Sequence, residues 1–341
     1  MRKMSKLFVF FFCCAVVVNC SPKNEKCKVL IANPSVPQAG LDILEKKCDL
    51  IKINNESKAE ILSKVKGVDA IFYATYIPLD KEILDQAGSQ LKTVSLMSAG
   101  YNHINIPELK ERGIKLSNTP KVLSDAVAEV AVLLTLGAAR RSHEGRKKIE
   151  SGDWKSDPQW LLGQDISGST VGIIGLGSIG QAILKRLKPF GVEQFIYTGH
   201  KEKTEGKELG AKFVDFETLN KNSDFIIVSA PLTNETRGII NDDFFSKTKK
   251  TAVLVNIARG EIVNQEALIK ALKEGKIFSA GLDVMTPEPL PVDHELLKLP
   301  NLVLTPHIGS ATVKTRNSMS VLAAKNILKG IEGEELLTPV F

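Results

Sequence analysis

Short apolar runs alternate along this chain with longer stretches whose polar and apolar residues favour helix. Residues 28–32, 50–53 and 68–73 are runs of strand length rich in valine, isoleucine and aromatics, and polar, helix-favouring stretches at 40–47 and 58–66 fall between them. A second series begins with a run at 170–174. It continues through a glycine turn and a helix over 179–187, then through strands at 194–197, 224–229, 252–256, 279–282 and 301–305. Strand and helix in strict alternation predict parallel sheets with helices on both faces, so each half of the chain reads as an α/β unit. Residues 125–140 carry Ala126, Val127, Ala128, Val130, Ala131, Val132, Leu133, Leu134 and Leu136. Apolar on more than one side, this helix suits a connector between domains or a subunit contact. A final helix is expected over 315–330.

At 341 residues, two domains are the prior, each with room for a core of its own. The composition is ordinary for a globular protein, with 43% hydrophobic and 25% charged residues and a formal net charge of +6. Half of that excess sits in Arg2, Lys3 and Lys6, and no basic cluster interleaved with aromatics follows, so nucleic-acid binding is unsupported. No metal-ligand spacing appears. Behind those three cations, residues 7–18 are unbroken apolar sequence, the n-region and h-region of a secretory signal and short for a bilayer span. Residues 1–20 are therefore expected to be a leader cleaved near Cys20. Lipid anchoring at Cys20 ranks second, because Asn19 stands where a small residue belongs, and a cytoplasmic protein with an unused leader is the alternative. Beyond the leader the chain gives no reason to expect a membrane partner.

All five cysteines fall within the first 48 residues. Cys27 and Cys48 each precede one of two expected neighbouring strands. A staple between them is geometrically possible, but two unpaired thiols that simply pack are the simpler reading. If the leader is used, sequons at Asn55 and Asn234 would meet the glycosylation machinery of a eukaryotic host.

Three strings in the last third carry chemistry: Asn256-Ile257-Ala258-Arg259-Gly260, Asp283 followed by Glu288, and Thr305-Pro306-His307-Ile308-Gly309-Ser310. An arginine offers a planar fork of donors to a carboxylate and an adjacent ketone oxygen. A histidine beside a carboxylate can deliver a proton near neutral pH. Upstream, Gly175-Leu-Gly177-Ser178-Ile179-Gly180 directly follows a strand and opens a helix. That context makes it a dinucleotide fingerprint, with a tight turn at the first glycine, backbone approach at the second and close packing at the third. No acidic side chain follows at the end of the next strand, where Gly199, His200 and Lys201 stand instead. This favours NADP(H), with NAD(H) possible and Glu202 the one contrary charge.

These strings, with Leu187-Lys-Pro-Phe-Gly-Val192, Phe244-Phe245, Val263-Asn-Gln265 and Pro287-Glu-Pro-Leu-Pro291, resemble the D-isomer-specific 2-hydroxyacid dehydrogenases, and within them the glyoxylate/hydroxypyruvate reductase branch. The resemblance runs from about Cys27 to the C-terminus. It implies two doubly wound parallel-sheet domains, Rossmann-like and flavodoxin-like, with a cleft between them, and a homodimer. A discontinuous substrate domain would comprise 27–122 and 313–341, and a cofactor domain 123–312. The implied activity is NADPH-dependent reduction of glyoxylate to glycolate and of hydroxypyruvate to D-glycerate.

Carried over by motif, Arg259 would hold the substrate carboxylate and ketone oxygen, His307 would donate the proton, and Glu288 would be its charge partner. Ala99 and Gly100 in the loop Met97-Ser-Ala-Gly100 would receive the carboxylate on backbone amides, and Ser310 would add a contact. Pro231, Thr236, Ile257, Asp283 and Gly309 would line the cofactor side, with Asp283 facing the nicotinamide. Two departures stand out. His200 replaces a surer phosphate ligand, and Tyr101-Asn102-His103 lacks the acidic residue usual after the substrate loop. His103, His143, His200 and His294 are expected on the surface or in loops, and Trp154 and Trp160 at a hinge or subunit contact. A nucleotide-binding regulator or secreted non-enzymatic relative of the same fold is the competing function.

Overall fold

The computed structural model describes residues 26–341; the leader segment 1–20 lies outside the described residues. The first five strands are β1 (Cys27–Ile31), β2 (Cys48–Lys52), β3 (Ala70–Tyr73), β4 (Thr93–Leu96) and β5 (Lys115–Ser117). They form an all-parallel sheet in the order β2-β1-β3-β4-β5, the flavodoxin-like order. The next seven are β6 (Thr170–Ile174), β7 (Gln194–Thr198), β8 (Ala211–Phe213), β9 (Phe225–Val228), β10 (Val253–Asn256), β11 (Ser279–Leu282) and β12 (Leu302–Leu304). Their order, β12-β11-β10-β9-β6-β7-β8, is a doubly wound dinucleotide-binding sheet extended by one strand.

Every residue of β3, β4, β9, β10 and β11 is buried, as strands covered by helices on both faces must be. Three strands, β4, β5 and β8, are additions to the expected set. Thr93 and Ser95 make β4 look polar, yet both are fully buried, and Ser95 accepts a hydrogen bond from Ser117 of β5 at 2.8 Å. β5 and β8 are three residues each, too short for an apolar period to register.

The helix Ser124–Ala139 leaves the first sheet and lies across β10 and β11. It approaches so closely that a Cβ on Gly281 would stand 2.9 Å from the Leu134 Cβ. At the other end the helix Val313–Ile331 returns to pack on the helix Gln38–Glu45 and on β3 and β4. The tail is then tied down by Thr338, whose Oγ1 donates to the Asn118 carbonyl at 2.6 Å, and by Asn326, whose Oδ1 accepts from Leu337 N at 2.8 Å. The first sheet is thus completed by both chain ends, and the second sheet is built from the intervening chain. Among the described residues no helix is long and apolar enough to cross a membrane.

Cys27 and Cys48 are joined in a disulfide, which corrects the expectation of two unpaired thiols. Parallel pairing of β1 with β2 sets the two residues directly opposite each other with Cα atoms 4.4 Å apart, within bonding range. Closing a loop of 21 residues in sequence contributes about 3 kcal/mol by restricting the unfolded chain.

Candidate active site

β6 ends in the glycine turn at the point where strand order reverses, the place where doubly wound sheets bind ligands. Gly175 has φ +94°, and a Cβ there would stand 2.7 Å from the Ala230 Cα. A Cβ on Gly177 would meet nothing within 4 Å, so the backbone faces open space. A Cβ on Gly180 would fall 2.4 Å from the Gly175 carbonyl oxygen, which holds helix and turn together. The helix Ser178–Leu187 starts after Gly177 with no side chain capping its first amides. Uncapped N–H groups beside open space make an anion cradle that fits a pyrophosphate.

A cavity of about 240 Å³ runs from this cradle to the first domain. It brings together Ala99 and Gly100, the fingerprint residues Gly177, Ser178 and Ile179, and Pro231, Ile257 and Arg259. The 231–236 loop is held by Thr236, whose Oγ1 donates to the Pro231 carbonyl at 2.7 Å and accepts from Thr233 N at 2.8 Å. At the end of β7, His200 and Lys201 are exposed and outside this cavity. His200 Nδ1 lies 3.7 Å from Glu235, while Glu202 pairs with Lys207 at 3.4 Å.

Arg259 is presented by a turn that the buried Asn256 folds: its amide donates to the Arg259 carbonyl at 2.8 Å and accepts from Ala258 N at 3.0 Å. The guanidinium crosses the cleft. Its Nε donates to Asn102 Oδ1 at 3.0 Å and its Nη1 to the Ala258 carbonyl at 2.7 Å. A Cβ on Gly100 would stand 2.0 Å from Nη2, so a side chain there would push the guanidinium from this position. Asn102, in place of an acid, holds the guanidinium without neutralising it, which leaves its charge available to an anionic ligand.

His307 has φ +53°, a left-handed conformation that costs about 1–2 kcal/mol. Asp283, 1% exposed, holds it there. The Asp283 carboxylate accepts from Thr305 Oγ1 at 2.6 Å, Ile308 N at 2.9 Å and Gly309 N at 2.8 Å, and its carbonyl accepts from His307 N at 2.8 Å. Expected on the nicotinamide side, this carboxylate directs its oxygens at the loop that carries His307. Glu288 Oε2 lies 2.6 Å from His307 Nδ1, while Oε1 accepts from Met285 N at 2.9 Å. Burial raises the Glu288 pKa, but the His307 hydrogen bond and charge, the Met285 amide and the Arg259 charge outweigh it, and the carboxyl lies below its ordinary range. With Nδ1 so engaged, Nε2 is the atom left to exchange a proton. The Ser310 hydroxyl, three residues on, bonds no described residue.

Two further residues belong to this cluster. Tyr76, just past β3, places its hydroxyl 3.3 Å from His307 Nε2 and its ring 5.3 Å from the imidazole, with Arg259 Cζ 5.7 Å from the ring centroid. The usable signal was position, since ligands gather beyond the carboxyl ends of parallel strands. His103, expected on the surface or in a loop, lies in a turn but packs edge-on to Tyr76 and parallel to Tyr73, both ring nitrogens buried and unpartnered. Burial first, then the Arg259 charge, lowers its pKa to about 4, so a neutral wall stands behind the tyrosine. His294, by contrast, caps a short turn through Nδ1. Among the described residues no cluster could hold a metal ion.

The profile of the D-isomer specific 2-hydroxyacid dehydrogenase NAD binding domain matches residues 132–309. The chain is similar to a mouse glyoxylate reductase/hydroxypyruvate reductase, 46% identical across 91% of this chain and 96% of the mouse protein. A human protein of the same name is 53% identical across 81% of this chain and 85% of its own length. Among solved structures, an NADPH-dependent glyoxylate/hydroxypyruvate reductase from Sinorhizobium meliloti, in complex with NADP and malonate, superposes with a TM-score of 0.82 at 32% identity, covering 93% of this chain and 97% of that one.

Glu288→Gln removes the anion held 2.6 Å from His307 Nδ1 and is expected to lower kcat/KM for a 2-oxo acid on the order of tenfold or more, because the ring loses the partner that orients it. Steady-state kinetics check this, and an unchanged kcat/KM in a folded variant rejects the pairing.

Proposed function

Because the chain belongs to the D-isomer-specific 2-hydroxyacid dehydrogenase family, we propose that it reduces glyoxylate to glycolate and hydroxypyruvate to D-glycerate, using NADPH in preference to NADH. The observation that carries this reading is the His307–Glu288 pair, which turns Nε2 to the cleft, where a substrate oxygen would take over from the Tyr76 hydroxyl 3.3 Å away. When bound, the reduced nicotinamide supplies a hydride to the 2-oxo carbon. The protein's residues do the rest. Arg259 takes the substrate carboxylate and ketone oxygen on its fork, and the amides of Ala99 and Gly100 take the carboxylate's other side. His307 Nε2 passes a proton to the ketone oxygen as it becomes a hydroxyl, and Glu288 holds the ring in place through Nδ1. Tyr76, backed by the neutral His103, stands beside His307 and Arg259 at the edge of this site.

For the cofactor, the uncapped amides after Gly177 would take the pyrophosphate, with Pro231, Thr236, Ile257 and Gly309 along its length. The preference for NADPH rests on the missing carboxylate after β7 and on His200 and Lys201, which would face a 2′-phosphate. Homodimer formation is supported by Leu133, Ile149, Trp154 and Leu162, four large apolar side chains within 133–162 that are each more than half exposed, as residues covered by a partner would be.

Arg259→Lys is expected to lose at least about 3 kcal/mol of transition-state stabilisation, because a point ammonium cannot reproduce the bidentate fork. Turnover is read as NADPH oxidation in the presence of glyoxylate. A kcat/KM within a few-fold of the parent rejects the role, and a folded parent without turnover rejects the reading.

Gly199→Asp is expected to move preference towards NADH by offering the ribose hydroxyls an acceptor and repelling a 2′-phosphate. A Cβ at Gly199 meets nothing within 4 Å, so the change costs no repacking. Comparing kcat/KM for the two cofactors decides it, and a parent that already prefers NADH overturns the assignment.

A further inference from the structure

The edge strand β2 carries two features that the reductase reading leaves unused. At its start lies the Cys27–Cys48 disulfide, a bond that persists in oxidising compartments and is rare in the cytosol. Beyond its end lies the sequon Asn55-Glu56-Ser57. The loop holding it ties down the two residues that follow Asn55. Glu56 accepts from Thr75 Oγ1 at 2.5 Å and Asn33 Nδ2 at 3.1 Å, and Ser57 Oγ caps the helix Lys58–Lys64 through Glu60 N at 3.2 Å. Asn55 is exposed, as is Glu56, but unlike Glu56 and Ser57 its side-chain amide bonds no other described residue. It lies outside the cavity lining.

We infer that Asn55 is an N-glycosylation site, occupied when residues 1–20 direct the chain into a eukaryotic secretory pathway. The leader and the disulfide are independent marks of that compartment, and the sequon supplies the acceptor. In the transfer, Asn55 Nδ2 loses a proton and bonds to C1 of the first sugar, while the bond from C1 to a lipid-linked pyrophosphate breaks and the lipid pyrophosphate leaves. The disulfide forms as Cys27 and Cys48 give up two protons and two electrons to a disulfide of the compartment's exchange proteins, which becomes a dithiol. The glycan would stand beside an open sheet edge, a surface prone to pair with other chains. The second sequon, at Asn234, is exposed as well, but its loop supplies Pro231 to the cleft wall, so a glycan there would crowd ligand entry.

The test is expression of the full chain with a C-terminal tag in cultured animal cells, followed by peptide mapping without reduction, with and without peptide-N-glycosidase. The expected result is an Asn55 peptide converted to Asp by the enzyme, a linked Cys27–Cys48 peptide pair, and loss of that glycan in Asn55→Gln. Asn55→Gln is the variant of choice because Ser57→Ala would also remove a helix cap. An intact Met1 with free thiols and bare Asn55 overturns the proposal, as does disulfide-linked protein in the medium with bare Asn55. Glyoxylate turnover is assayed separately, so neither outcome bears on the reductase reading.

Discussion

The buried carboxylate of Asp283 is the constraint on which the site depends. It sits at the end of β11 and draws in three donors from the loop that follows β12, bridging neighbouring strands at the sheet's carboxyl edge. Hydrogen bonds to a charged group are each worth about 1.5–3 kcal/mol net, enough together to hold His307 in a left-handed backbone that would otherwise relax. The same bonds satisfy a carboxylate that could not be buried alone. Where His307 points is therefore decided beneath it, and Glu288 then settles which ring nitrogen remains for chemistry.

Arg259 performs the matching task across the cleft. Its side chain lies on Gly100 and bonds Asn102, so residues of the second domain are completed by a loop of the first. The asparagine fixes the arginine's position without cancelling its charge. Beside it, burial keeps His103 uncharged, so the Arg259 charge is not joined by a second one from that ring.

Much of this was legible in the sequence, for physical reasons. Glycine positions with steric meaning, apolar strand runs, and an ordered arginine, glutamate and histidine are local signals, and the family assignment rests on them. The residues that escaped are those whose meaning is tertiary. Thr93 and Ser95 look polar until a neighbouring strand supplies partners. His103 looks like a loop histidine until two tyrosines enclose it, and Tyr76 gains significance only when β3 ends opposite His307. The disulfide depended on strand register, which no run of residues reveals. Asp283 was readable as a site residue, but that its oxygens serve the backbone of 305–309 was not.

The central claim is that Arg259 and the 99–100 loop hold the carboxylate of a 2-oxo acid while His307 Nε2 faces its carbonyl oxygen. A crystal structure of the protein with NADPH and oxamate, an unreactive mimic of glyoxylate, tests it most directly. The account predicts the oxamate carboxylate on the Arg259 guanidinium and the Ala99 and Gly100 amides, with its amide carbonyl oxygen within hydrogen-bond reach of Nε2. Oxamate bound away from Arg259, or bound there with its carbonyl turned from His307, would contradict it.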